Sequence, residues 1–456
     1  MKSQKTIDLL RDYESRNVLF IDPDGSWPIV WERARGVHVW DADGKKYLDL
    51  TGAFGVAATG HANASVVKAG QEQLAILPHA MGDVHPHARK AELARELSRI
   101  TFERWSNDHR RDELHESHAS ALQKSGTREA RPSGKTIFCN SGFEAVEAAL
   151  KTAMLATNRH GVIAFQGAYH GLGYGALNAT HRNFFRGPFQ MQLKEFGNFV
   201  QFPSKPADLA VVELLIRRLF QRGWIGAILV EPIQARGGIN VPPPGFLPLL
   251  RKLCDEHKAL LVLDEIYTGF GRTGKWFACE HSGVAPDIIC LGKALTGGFP
   301  LSACVGRADV MDRAWPESRG EAIHTSTFLG NPVGCAMALA QIGEIRENKL
   351  PERAAKLGEF LLNELSKFRI PDSGFQMTVR GMGLMVGLEL KLPNGEPAGD
   401  IAMRAIKAML KRGFILLPEG ESGNIISFTP PLTITKAQLT EMLGALKEIL
   451  TEVEHG

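Results

Sequence analysis

Residues 260–274, LLVLDEIYTGFGRTG, and residues 287–300, DIICLGKALTGGFP, decide how this chain folds. Each begins with a short apolar run of strand length that stops at a polar or glycine-containing turn. Asp264 ends the first run, and Lys293 stands just past the end of the second. Three similar runs come earlier: TIFC at 136–139, VIAFQ at 162–166 and GAILVEP at 226–232. Between them the period changes from strand to helix. In 144–159, Val146, Ala149, Leu150, Ala153, Met154 and Thr157 share one helical face. Residues 244–258 read as a second helix. Strands alternating with helices predict an α/β protein with a doubly wound, mostly parallel sheet.

Outward from this region the pattern changes. Residues 35–51 alternate apolar and polar around Asp43-Gly44, which predicts a hairpin. Residues 88–102 read as a helix. Beyond about 330, long helical stretches (332–347 and 352–368) precede strand-like segments and a final helix, which predicts a smaller α+β domain. The expected division is 1–61 as an N-terminal segment joining the small domain, 62–330 as the large domain and 331–456 as the C-terminal small domain. Residues 103–134 turn polar and are expected to form a surface excursion.

The 456 residues carry a formal net charge of +3, with 44% hydrophobic and 23% charged residues. That charge is too small to argue for nucleic-acid binding. The apolar runs are too short to span a membrane, and the N-terminus lacks the apolar core of a signal peptide. A cytoplasmic protein is expected. Six scattered cysteines without a CxxC pair read as buried free thiols. His85, His87, His109, His115 and His118 come with no structured ligand set, so no metal is expected.

In open α/β sheets, ligands sit beyond the carboxyl ends of the strands. Ser141-Gly142-Phe143 joins TIFC to its helix, where free backbone N–H groups favour an anion; a plain strand-to-helix turn is the alternative. Tyr169 and His170 follow VIAFQ, and the tyrosine ring could stack on a flat heterocycle or pack in the core. Glu231 is a site residue or a loop cap. Asp264 and Lys293 at successive strand ends suit pyridoxal phosphate (PLP) chemistry. There a lysine forms a Schiff base with an aldehyde, and a carboxylate keeps the ring nitrogen protonated. GFGRTG at 269–274 matches the dinucleotide pattern GxGxxG, but no clean helix follows it, so nicotinamide binding is not expected.

NSGFEAVEAALK (140–151), GAYHG (167–171), EPIQ (231–234), DEIYTGFGRTG (264–274), GKALTGGFP (292–300), STFLGNP (326–332) and VRGMGLMVGLEL (379–390) occur together and in this order. The chain therefore resembles the class III PLP-dependent aminotransferases of fold type I along nearly its whole length. The resemblance implies that Lys293 bonds the cofactor and moves the proton, that Asp264 pairs with the ring nitrogen and that Tyr169 stacks on the ring. It implies that Ser141, Gly142 and Phe143 hold the phosphate, with His170 and Glu231 supporting the cofactor. Thr327 would reach the phosphate of a partner subunit, making the active unit a homodimer with shared sites. Arg380 would grip the carboxylate of a 2-oxo acid, with Arg236 and Phe54 also on the substrate side.

Three departures from family patterns bear on substrate. Phe143 stands where many relatives have serine. Arg236, in QARGG, stands where a gating glutamate neutralises the arginine matching Arg380. Leu172 replaces an arginine of 4-aminobutyrate enzymes. The expected reaction moves an amino group from a primary amine, diamine or ω-amino acid to pyruvate or 2-oxoglutarate by a ping-pong cycle. An aminomutase of the glutamate-semialdehyde type is the alternative. Glu419 and Glu421 read as an acidic lip for a cationic donor tail or as solvated loop charges.

Overall fold

The computed structural model describes residues 2–23, 25–106, 133–370 and 374–452. Most of the expected excursion, with His109, His115 and His118, lies outside the described residues. Strands β1 (Trp31–Arg35), β2 (His38–Asp41) and β3 (Lys46–Asp49) form an antiparallel meander that contains the expected hairpin. Its turn is closed by Asp41 Oδ1, which accepts from the N–H groups of Asp43 (3.1 Å) and Lys45 (2.8 Å). Gly44 takes φ +92° there, a value that favours glycine. The helix Ala88–Ser98 runs on into a π-helical turn, Arg99–Glu103.

The central sheet comprises β4 (Gly134–Cys139), β5 (Gly161–Phe165), β6 (Gly197–Val200), β7 (Ile225–Val230), β8 (Leu260–Asp264), β9 (Ile288–Leu291) and β10 (Ser302–Arg307). Its order is β4-β10-β9-β8-β7-β5-β6. Only β10 runs against the rest, antiparallel to both β4 and β9. The unbroken apolar runs arise because both faces are covered: every residue of β7, β8 and β9 is buried. Alternation then sorts the residues. Leu260, Val262, Ile288 and Cys290 pack with the helix Gly142–Thr157. Leu261, Leu263, Ile289 and Leu291 pack with the helix Phe246–His257 on the other face. All six cysteines are free and buried.

The C-terminal part holds a second, antiparallel sheet. It is built from β11 (Gln376–Met382), β12 (Met385–Lys391), β14 (Leu417–Glu419) and β15 (Ile425–Phe428), in the order β11-β12-β15-β14. The short β13 (Phe414–Ile415) leaves this region to pair with Leu48 and Asp49 of β3, so the N-terminal meander and the C-terminal part share one sheet. Among the described residues, no helix is long and apolar enough to cross a membrane.

GFGRTG is a docking turn in this fold. Arg272 is buried, and its Nη1 donates to the carbonyls of Leu384 (3.0 Å) and Pro430 (2.5 Å). A Cβ on Gly274 would lie 2.9 Å from that of Ala355, and one on Gly271 would lie 3.2 Å from Leu432 and Pro351. The glycines therefore let the central-sheet loop approach the C-terminal part. Burial pushes the Arg272 guanidinium down to about 10, against the nearby charges of Tyr267 and Asp49. Arg272→Met keeps the bulk but strands two buried carbonyls. It should cost about 2 kcal/mol, read as a lower urea midpoint.

Candidate functional site

The carboxyl ends of the parallel strands open into a cavity of about 410 Å³. Gly142, Phe143, Tyr169, His170, Leu172, Glu231, Arg236, Asp264, Tyr267 and Lys293 line it, so most residues singled out in the sequence meet here.

Asp264 has the same parity in β8 as Leu260 and Val262 and closes the face covered by the helix Gly142–Thr157. Oδ2 lies 2.8 Å from His170 Nδ1, and Oδ1 accepts from the N–H of Ile266 at 3.1 Å. Two hydrogen bonds thus fix a carboxylate that is 5% exposed. His170 Nε2 is buried without a partner among the described residues. The neighbouring Glu265 turns the other way and accepts from Ala278 N, Cys279 N and Thr268 Oγ1, which makes it structural.

Lys293 follows Gly292 at the end of β9 and takes φ +43°, a left-handed conformation that is uncommon for lysine and often marks function. Its residue surface is intermediate because it lines the cavity. Nζ sits 4.3 Å from the centroid of the Tyr267 ring. Among the described residues no carboxylate lies within ion-pair distance of it. Desolvation lowers its pKa, against the opposing charges of Asp264, Glu231 and Glu419. Lowering favours the neutral amine, the form that attacks a carbonyl or accepts a proton.

Ser141 is the N-cap of the helix, opposite Glu144 in a capping box, with its Oγ buried. Glu144 Oε2 accepts from Asn140 N (2.6 Å) and Ser141 N (3.1 Å). Gly142 and Phe143 supply the first N–H groups of the helix, which have no intrahelical acceptor. A Cβ on Gly142 would meet Ile266 at 3.1 Å. Free N–H groups at a helix start, a buried imidazole on an aspartate whose Nε2 has no partner among the described residues, and a desolvated lysine together fit PLP: phosphate at the helix, ring between, aldehyde at the amine. Tyr169 lines the same space, and its backbone N–H donates to Glu231 Oε1 at 3.0 Å. Glu231 Oε2 accepts from Ala235 N at 3.1 Å, so this carboxylate caps the loop after β7 from within the cavity wall. Burial raises Glu231 to about 7, despite the nearby His170.

The two substrate-side arginines are placed differently. Arg236 lines the cavity, with its guanidinium 5.7 Å from the Tyr169 ring centroid and Nε 3.7 Å from Glu419 Oε2. Arg380 does not line it. Its Nη1 donates to Glu389 Oε2 at 2.7 Å, its Nη2 to the Gly238 carbonyl at 2.7 Å, and its Nε to the carbonyls of Gly238 and Ile239. Phe54 and Thr327 are exposed and lie outside the cavity lining, although a Cβ on Gly55 would touch the Tyr267 ring at 2.8 Å. Leu172 and Phe143 give the cavity an apolar edge.

Glu419 is only 4% exposed, which corrects its reading as a lip or solvated loop charge. Sequence reasoning named Glu419 but not its burial, which leaves no signal inside the polar run PEGESG, and it missed Tyr267 and Glu389. Burial raises Glu419 to about 7, although Arg236 and Lys293 oppose the shift. The folded state then binds more protons than the unfolded state between about pH 4.5 and 7, so stability falls as pH rises through that window. Glu419→Gln should remove on the order of 2–3 kcal/mol of this decline, measured by urea unfolding across the window.

Comparison with known proteins agrees with this geometry. Residues 21–450 match the family described as Aminotransferase class-III. The acetylornithine aminotransferase of Methanosarcina mazei is 35% identical over 97% of this chain and 96% of its own length. The putrescine aminotransferase of Pectobacterium atrosepticum is 35% identical over 99% of this chain and 89% of its own. The amine transaminase of an uncultivated Pseudomonas species, solved in its PLP-bound form, superposes with a TM-score of 0.80 at 28% identity, covering 96% of this chain and 98% of that one. With the fold, the strand-end lysine and aspartate and these likenesses in agreement, the chain belongs to the class III aminotransferases.

Proposed function

We propose that this protein transfers the amino group of a primary amine, diamine or ω-amino acid to a 2-oxo acid, pyruvate or 2-oxoglutarate, by a ping-pong cycle on PLP. The observation that carries the proposal is the Lys293 amine, desolvated and without a carboxylate partner, in one cavity with Asp264 and Tyr169. PLP supplies an aldehyde for amine capture and a ring that accepts electrons. Lys293 Nζ would accept the proton from the donor's amino-bearing carbon and deliver it to the carbon that had carried the cofactor's aldehyde. Asp264, oriented by His170, holds the positive charge on the ring nitrogen. Tyr169 covers the ring, and Ser141 with the first N–H groups of the helix anchors the phosphate.

The donor class draws on the apolar edge at Leu172 and Phe143, which suits the methylene chain of a terminal amine. Relatives named for acetylornithine and putrescine are compatible with a terminal amine. The named relatives are aminotransferases, and no observation favours an aminomutase. A homodimer accompanies this reading. Leu172, Tyr174, Phe189, Met191, Ile323 and Phe328 are exposed apolar side chains in the segments after GAYHG and around STFLGNP, a surface suited to a second copy. Thr327, exposed in STFLGNP, is then free to reach the partner's phosphate site. The six buried free thiols suit a reducing cytoplasm.

A panel of amines against pyruvate and 2-oxoglutarate tests the proposal. Terminal amines should bleach the cofactor's visible absorption, and double-reciprocal plots should be parallel. Lys293→Ala should lower turnover by at least about 10³-fold while the protein stays folded. Bleaching only by α-amino acids, or turnover of an amine without any 2-oxo acid, would contradict it.

A further inference from the structure

Lys293 must hold a proton for part of the cycle proposed above, in a cavity whose carboxylates stand off from it. Asp264 at the end of β8, Glu231 after β7 and Glu419 in β14 favour the ammonium from a distance, and Arg236 opposes them. Among the described residues none of these carboxylates comes within ion-pair distance of Nζ. What stands against the amine is the ring of Tyr267. Nζ lies over its face, 4.3 Å from the centroid, inside the range of a cation–π contact. Desolvation pushes the Tyr267 hydroxyl up to about 12, so the ring opposite the amine is a neutral phenol and not a phenolate.

The N-terminal segment holds that ring in place. Thr429 Oγ1 donates to the Thr51 carbonyl at 3.0 Å, so the Tyr267 hydroxyl, 3.1 Å from the same Oγ1, is the donor to it. A Cβ on Gly55 would lie 2.8 Å from Cε1 of the Tyr267 ring, so only glycine lets the segment pack there. Gly52, Ala53, Phe54 and Gly55 take φ of +55°, +50°, +60° and +77°, a left-handed turn that is unusual for alanine and phenylalanine. The fully buried Asp49 fixes this turn, accepting from Thr51 N at 2.8 Å, Thr51 Oγ1 at 2.6 Å and Ala53 N at 3.1 Å. Strain of this kind persists where the surroundings over-determine it. Here the strained turn fixes one ring against one amine.

Resting on the aminotransferase reading above, we infer that Tyr267 is a positioning residue of the proton step: the face of its ring receives the Lys293 ammonium that forms when Nζ takes the donor's proton. The lone pair of Nζ bonds the proton, and the C–H electron pair passes into the cofactor ring. The same proton then leaves Nζ for the carbon that had carried the aldehyde. A carboxylate in this place would hold the ammonium as an ion pair and keep the amine charged before the donor arrives. A ring face attracts the charge more weakly and offers no atom that could take the proton itself.

The test reads the proton affinity of Lys293 in the full chain without cofactor, from the pH dependence of acetylation on the Lys293 peptide. Tyr267→Leu removes the face and should raise the acid dissociation constant of Lys293 roughly 3- to 30-fold. Tyr267→Phe keeps the face and should leave the constant within about twofold. Fluorinated phenylalanines at position 267 keep the volume and drain the face, so the constant should climb with each fluorine. A loosened fold that admits water would move Lys293 the other way, toward its ordinary proton affinity. In the holoenzyme, Tyr267→Leu should slow cofactor bleaching by a similar factor and enlarge the isotope effect of a donor deuterated at its amino-bearing carbon. A constant unmoved or lowered in Tyr267→Leu, an equal change in Tyr267→Phe, or a fluorinated series without trend would overturn the assignment. If no amine bleaches the wild-type holoenzyme, the aminotransferase reading itself fails, while the cofactor-free titration still decides whether the ring supports the ammonium.

Discussion

A desolvated lysine amine with no carboxylate within ion-pair distance among the described residues is the constraint on which the site depends. Lys293 Nζ lies over the Tyr267 ring, in a cavity whose negative groups are all bound to something else. Asp264 is held by His170 and the Ile266 N–H, Glu231 by two backbone N–H groups, and Glu419 stands beside Arg236. An ammonium is costly in such a place, and a neutral amine is not. The fold thus keeps this amine reactive by spending its carboxylates elsewhere.

The sheet supplies the precision. Leu260, Val262 and Asp264 share one face of β8, so the helix that packs on the first two brings its N-terminus to the third. The phosphate cradle and the ring-nitrogen carboxylate are therefore set by the same packing. The next residue, Glu265, points to the opposite face and ties down the loop that carries Ala278 and Cys279. Two adjacent acids thus do different jobs because a strand alternates.

Much of this was legible in the sequence. Strands buried on both faces read as unbroken apolar runs, so β7, β8 and β9 and the residues at their ends could be placed directly. The reversed β10 could not, because direction leaves no mark in a run such as SACVGR. Charge pairing was the other hidden part. Arg236 meets Glu419 and Arg380 meets Glu389 only through tertiary packing, and no local period encodes such partners. Family likeness pointed to Arg380 for the carboxylate, but its pairing with Glu389 across the ladder could not be foreseen. GFGRTG shows the converse: a glycine pattern that matches nucleotide loops serves here to bring Arg272 against the C-terminal part.

Borohydride reduction of the holo-protein, followed by peptide mapping, tests the central claim most directly. The account predicts a single pyridoxyl label on the peptide containing Lys293. A label on any other lysine, or no label on a protein that has bound the cofactor, would contradict it.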